Sequence, residues 1–357
     1  MTHVFFSFPR LLTAFHHKAG RIAALFAVFL LAACAGAPAL DQPENYSQLP
    51  KDDKLRHIVD MQDRLDRVSG TLQIGNADLC RNQVRNLLGF AATNKYSYSS
   101  GMTSTASQVF GMDERLQVTN VIPGGGAQRA GLERGDILLT IEGKPVPQGP
   151  TAETETVKLL SPIVSKNSSV KMRIDRNGTS YDLVVPLTRA CGFRVELGHT
   201  DNVNAYSDGQ RILITRGMMR FAANDNELAY VIGKEMAHNI LNHARTLQTT
   251  EANKKTIDNL IQVTPKATIT SKPAKPMTKQ FDLDSDTLGL AMALRAGYGI
   301  DSAVDFWTRF IRAYPASNVA SYTAAHPNSR ARLELMPKSI SRIKSAEKRK
   351  QALSRQK

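Results

Sequence analysis

Lys234, Glu235 and His238 are the residues whose types and spacing say most about chemistry, and they sit within the stretch Asn226 to His243. Leu228, Val231, Ile232, Met236 and Ile240 recur there at three- and four-residue spacing. That is the period of a helix with a buried face, which Ala237 and Leu241 widen. In an H-E-x-x-H helix, two histidines one turn apart hold one metal ion and the glutamate beside the first activates the bound water. Here the first position is Lys234, whose ammonium has no lone pair to give. The two-histidine half-site is broken as written, and an isolated K-E-x-x-H string also arises by chance. Glu235 keeps the general-base position and His238 keeps one ligand. Asn226, or Asp225, is expected to cap the helix.

The surrounding segments are Asn204-Ala205-Tyr206, Gly209, Ile212 to Gly217, Glu227-Leu228-Ala229, Asp282-x-x-x-Asp286 with Gly289, Ala296-Gly297-Tyr298, and His326-Pro327 followed by Arg332. In this order they resemble the M48 metallopeptidases, from about Cys191 to Pro337. The resemblance implies an α+β fold, a helical gluzincin-type core with a small edge sheet built from Arg194–Leu197 and Arg211–Thr215. In the family an ExxAD segment supplies the third zinc ligand and a supporting aspartate, so Asp282 takes the ligand position and Asp286 the support position. Glu235 and His326 inherit catalytic roles, His326 as oxyanion stabiliser or substitute ligand, and Arg332 pairs with Asp286 or a helix end. The expected metal is zinc on His238 and Asp282. The alternative is a degenerate site that has lost zinc, in which the Lys234 ammonium sits among Glu235 and Asp282 and neutralises them. His243, five residues past His238 and about 140° round the helix, is expected to pack or cap rather than ligate.

Upstream, Val121 to Ala127 leads into Ala130-Gly131-Leu132-x-x-Gly135-Asp136-Ile137-Leu138 and Glu142-Gly143-Lys144. This resembles the core of bacterial PDZ modules, with a β-sandwich-like fold over residues 82–190. Leu88, Gly89 and Phe90 match the family's loop that holds a peptide's terminal carboxylate, and such modules take an extended peptide along a sheet edge. The stretch from Ala91 to Gln117 is longer than the pattern and is expected to be an inserted loop. Cys80 and Cys191 flank the module. Since the ends of an inserted domain lie close together, a Cys80–Cys191 disulfide is expected in an oxidising compartment, two free thiols being the alternative.

The remaining features concern where the chain works. Residues 1–33 carry Arg10, Lys18 and Arg21 with no acid, then an apolar run ending in Leu31-Ala32-Ala33-Cys34. That pattern reads as an export signal with a lipobox, which makes Cys34 the lipidation site. Ala35 after the cysteine points to the outer membrane, facing the periplasm of a bacterial envelope. Residues 34–53 form a polar linker, 54–81 an amphipathic helix, 191–337 the peptidase-like domain with a mobile basic loop at 246–280, and 338–357 a solvated basic tail. The 357 residues carry a net charge of +14, with 42% apolar and 22% charged side chains. An exported chain of this kind meets anionic envelope surfaces rather than nucleic acid. The expected function is zinc-dependent proteolysis or quality control of envelope proteins. The alternative is an inactive pseudopeptidase whose PDZ module binds unfolded or C-terminal peptide segments.

Overall fold

A computed structural model describes residues 46–262, 275–315, 325–327 and 329–354. The export signal, Cys34 and most of the 34–53 linker lie outside the described residues, as does 263–274 of the expected basic loop. Among the described residues no helix is long and apolar enough to cross a membrane.

The first long element, α1 (Lys51–Gly75), starts after Pro50 with Asp52 and Asp53 in its first turn, where carboxylates complement the helix dipole. Its apolar stripe serves two cores. Leu55 and Val59 pack with Ala106 and Met112 of the segment around α2 (Thr103–Phe110), so the expected insertion carries a helix that docks on α1. Leu65, Val68 and Leu72 join the main core of the C-terminal half. Between them, Asn120 Nδ2 donates to the Asp63 carbonyl at 2.8 Å, and Gly70 lies so close to Ile122 that a Cβ would stand 2.6 Å from its Cγ2. One helix thereby splints the two halves.

Between the halves lies an antiparallel sheet. Its strands β2 (Phe90–Thr93), β3 (Gln117–Val121), β4 (Ile137–Ile141), β6 (Ser169–Arg176) and β7 (Thr179–Pro186) run in the order β2-β3-β4-β6-β7, and β5 (Lys144–Pro145) pairs with β4. Helix α4 (Ala152–Lys166) closes over Val118, Leu138, Val170 and Ile174. Before and after this module, β1 (Val84–Leu87) pairs antiparallel with β8 (Thr188–Cys191), bringing Val84 opposite Cys191. Beside that ladder the Cys80–Cys191 disulfide closes the loop, with Cα atoms 5.5 Å apart.

The C-terminal half opens with a three-stranded sheet ordered β10-β11-β9: β9 (Arg194–Gly198), β10 (Ala205–Ser207) and the fully buried β11 (Arg211–Thr215). After α5 (Arg216–Phe221) comes α6 (Asp225–Ile240), buried nearly all round. Its cap is Asn224, one residue before the expected Asp225 and two before Asn226: Asn224 Oδ1 accepts from the Glu227 N–H at 3.1 Å. Helix α9 (Lys279–Arg295), capped by Thr278, lies against α6. Phe306, Trp307 and Phe310 of α10 (Ala303–Ala313) fill the core beneath them.

Two expectations are corrected. The segment 246–280 is not all loop: α8 (Thr250–Leu260) packs Ile257 and Leu260 on Leu213 of the small sheet. Its stripe has only these two aliphatic residues among lysines, too sparse to show a period. Nor is 338–357 simply a solvated tail, for α11 (Ser329–Ser354) runs through Pro337 and past it, burying Ser339 and packing Ile340 and Ile343 on the main core.

Because the disulfide joins residues 111 positions apart, replacing both cysteines with alanine is expected to lower unfolding free energy by about 2–4 kcal/mol, read by denaturant titration. An unchanged midpoint would show that the β1–β8 ladder alone holds the module's ends.

Candidate active site and peptide groove

Helices α6 and α9 can approach as closely as they do because glycine faces glycine. A Cβ on Gly233 would stand 2.8 Å from the Gly289 carbonyl oxygen, and one on Gly289 would stand 2.7 Å from the Lys234 amide nitrogen. An isolated glycine in a buried helix signals such a packing need. The contact carries Lys234 into α9: its Nζ lies 2.8 Å from Asp286 Oδ1 and 3.1 Å from Asp282 Oδ1. From α11, Arg332 Nε bonds Asp286 Oδ2 at 2.7 Å, a second guanidinium nitrogen lies 3.6 Å from Asp282 Oδ1, and the guanidinium stacks over Trp307. All four charged side chains are buried. Two cations meet two carboxylates, so the cluster is neutral. Burial alone would raise the Asp282 carboxyl, yet the ammonium of Lys234, with His326 and Arg332, holds it well below the usual carboxylate range.

The ammonium's second partner is therefore Asp286, not the expected Glu235. Consecutive helix residues point about 100° apart, so when residue 234 faces α9, residue 235 faces the small sheet. There Glu235 Oε2 accepts from Ser207 Oγ on β10 at 2.7 Å. Sequence reading gave no sign of Ser207.

One turn on from Lys234, His238 is 2% exposed, and burial, reinforced by Lys234, holds its imidazole neutral by pulling its pKa well below the ordinary value. Its Nδ1 lies 2.9 Å from His243 Nδ1. The expected 140° separation fails because α6 stops at Ile240 and Asn242 takes a left-handed turn (φ 56°), which brings residue 243 back. His243 stacks on Phe281 and its pKa is lowered to about 4 by burial. His326 Nδ1 lies 2.5 Å from Asp282 Oδ1. Glu235, His238 and His326 each bring one donor atom within 4.8 Å of the others, and Asp282 does not join that group.

The positions that the resemblance gives to zinc thus do not fit it. At 234 stands an ammonium, and Asp282, expected as a ligand beside His238, is engaged by that ammonium and by His326. Asp286 and Arg332, expected as supports, are members of the same ion-pair cluster.

A second site lies along β2, an edge strand of its sheet. The loop Leu88-Gly89-Phe90 leads into it: the Ala127 N–H donates to the Leu88 carbonyl and the Ile122 N–H to the Gly89 carbonyl. Gly89 has φ +88°, and a Cβ there would stand 3.0 Å from Gly125 Cα. Between β2, α4 and α1 opens a largely apolar cavity of about 1410 Å³, lined by Phe90, Val157, Leu160, Ile58 and Asp66, and reaching Leu197 and His199 of the C-terminal half. The contribution of α1 had no signal in the sequence beyond its amphipathic spacing. Asp66 accepts from Gln62 at 2.9 Å, but burial pushes its carboxyl up to about 7.

Two outcomes follow from this geometry. Lys234→Met leaves two buried carboxylates short of a cation, so unfolding free energy is expected to fall by about 3–5 kcal/mol. Adding Asp286→Asn should cost less than the sum of the single changes, and strict additivity in denaturant titrations would contradict the pairing. For Asp66, the folded pKa of about 7 exceeds the unfolded value of about 4, so the folded state holds the proton more tightly. Stability attached to that proton is present below about pH 4 and is lost as pH rises through about 7. Asp66→Asn is accordingly expected to stabilise the chain at about pH 8 and to lose that advantage near pH 4. Equal effects at both pH values would refute the shift.

Comparison with known proteins agrees with the two halves. The model of peptidase family M48 matches residues 185–339, and that of the PDZ domain matches residues 117–176, so the Leu88–Phe90 loop lies outside the latter match. Among solved structures, the chain is similar to the HtrA3 PDZ domain bound to a phage-derived ligand (FGRWV), at 15% identity over 30% of this chain and 88% of that one, with a TM-score of 0.22. It is similar to the serine endoprotease from Yersinia pestis at 22% identity over 30% of each chain, with a TM-score of 0.20. It is similar to the HtrA-type protease AlgW with tripeptide at 19% identity over 30% of this chain and 32% of that one, with a TM-score of 0.21. Of the latter two proteases it thus spans about a third. No curated protein matches. The chain joins a PDZ domain to a domain of peptidase family M48.

Proposed function

We propose that this chain is a non-hydrolytic member of the M48 family that captures extended or C-terminal peptide segments of envelope proteins, tethered by lipid on Cys34 to the outer membrane and facing the periplasm. The observation that carries the reading is the Lys234 ammonium, held 3.1 Å from Asp282 and 2.8 Å from Asp286 where a ligand-bearing pair would stand. A cation at that point repels a metal ion and supplies no donor. Capture has its own support in the edge strand β2, the fixed Leu88–Gly89–Phe90 loop and the cavity between α1 and α4. Main-chain bonding to an edge gives affinity and the apolar wall gives selectivity. The lysines and arginines toward the end of α11 suit contact with an anionic envelope surface. Hydrolysis is the second reading, favoured by the retained Glu235 and His238 on one face of α6.

Fluorescence anisotropy with peptides ending in an apolar residue, paired with digestion of an unfolded protein, tests the proposal. Binding is expected to weaken about tenfold when the 62% exposed groove residue Val157 becomes Asp, and no digestion is expected. Cleavage that disappears in Glu235→Gln would instead establish a working peptidase.

A further inference from the structure

Toward the cavity along β2, α1 presents one stripe at helical spacing, apolar in Leu55, Ile58 and Val59 and polar in Gln62, Asp63 and Asp66. Other charged side chains of the cavity wall have partners of their own. Asp63 pairs with Arg134, Glu153 accepts from the Ser97 hydroxyl, Arg216 is held by Asp201, and Arg85 donates to the Phe193 carbonyl. Asp66 differs from them. Its carboxyl has one hydrogen bond, from Gln62 at 2.9 Å, and no ion pair among the described residues. A carboxylate can accept about four hydrogen bonds, so most of that capacity is unused. Burial, with the like charge of Asp63, raises the Asp66 carboxyl to about 7, as expected of an acid enclosed by protein without a cation beside it.

We infer that Asp66, with Gln62 beside it, selects peptides that carry a lysine or arginine side chain, seated against α1 while the peptide lies along β2. This inference rests on the capture reading and deepens it by naming the class of peptide taken. An extended peptide turns alternate side chains to the same side, so one of them can cross from β2 toward α1. The aliphatic stem of lysine or arginine suits the apolar wall of Ile58, Leu160 and Val164, and its charged head then meets the carboxylate. Hydrogen bonds between a cation and a carboxylate are roughly twice as strong as neutral ones, and they gain further where water is excluded. The ligand's charge also supplies the partner that the enclosed carboxyl lacks. An acidic side chain in the same place would face both Asp66 and Asp63 and be rejected. Because α1 precedes the PDZ match at 117–176, the preference belongs to the added helix and not to the module.

The test is fluorescence anisotropy on the whole chain with a set of peptides ending in an apolar residue, lysine or glutamine being placed at one internal position at a time. At one position lysine is expected to bind about tenfold tighter than glutamine. Asp66→Asn, checked for folding by circular dichroism, is expected to bring that ratio to about one, whereas loss of a merely structural role would weaken both peptides alike. In the unaltered protein, glutamate at the same position is expected to bind more weakly than glutamine, a result that needs no variant. The inference is overturned if lysine brings no advantage at any position, or if its advantage survives Asp66→Asn. Binding without a lysine preference overturns this inference alone, while no binding by any peptide overturns the capture reading with it.

Discussion

A buried, neutral cluster of four charges, Lys234 with Asp282, Asp286 and Arg332, is the constraint around which the C-terminal half is arranged. Each charge taken from water costs several kcal/mol, and only close partners with good geometry offset that. The closeness is set by backbone rather than side chains, since Gly233 and Gly289 let α6 and α9 meet without Cβ atoms between them. A primary amine and a guanidinium, both supplied by the chain, neutralise the two carboxylates. Glu235 and His238 lie on the neighbouring face of α6.

The N-terminal half is fastened to this core at two separate places. The β1–β8 ladder and the Cys80–Cys191 bond hold the module's two ends together, and α1 threads beside it with one face in each core. The cavity along β2 is in consequence walled by the sheet edge, α4, α1, and Leu197 and His199 at and just past the end of β9. Asp66 adds a polar, pH-sensitive spot to an otherwise apolar wall.

Much of this was legible in the sequence where a short-range rule applied. The three- and four-residue spacing of Leu228, Val231, Ile232 and Met236 pointed to α6, and the family resemblance singled out Asp282 and Asp286, which stand one turn apart on α9. What escaped depended on tertiary geometry. A straight helical wheel separates His243 from His238, and only the left-handed Asn242 after the end of α6 reunites them. Choosing Asp286 over Glu235 as the partner of Lys234 required knowing which face of α6 meets α9. Helix α8 and the docked part of α11 hide their few apolar residues among lysines and arginines, where composition reads as solvent. The groove face of α1 is invisible for the same reason: amphipathic spacing shows that a helix buries one side, but not against what.

Lys234 is a buried side chain whose Nζ bonds two carboxylates, Asp282 and Asp286. Nitrogen-15 NMR of the lysine side chains measures this most directly. One slowly exchanging Nζ signal is expected at neutral pH, absent in Lys234→Met and displaced by Asp286→Asn. A Lys234 amine whose protons exchange with water as fast as those of surface lysines would contradict it.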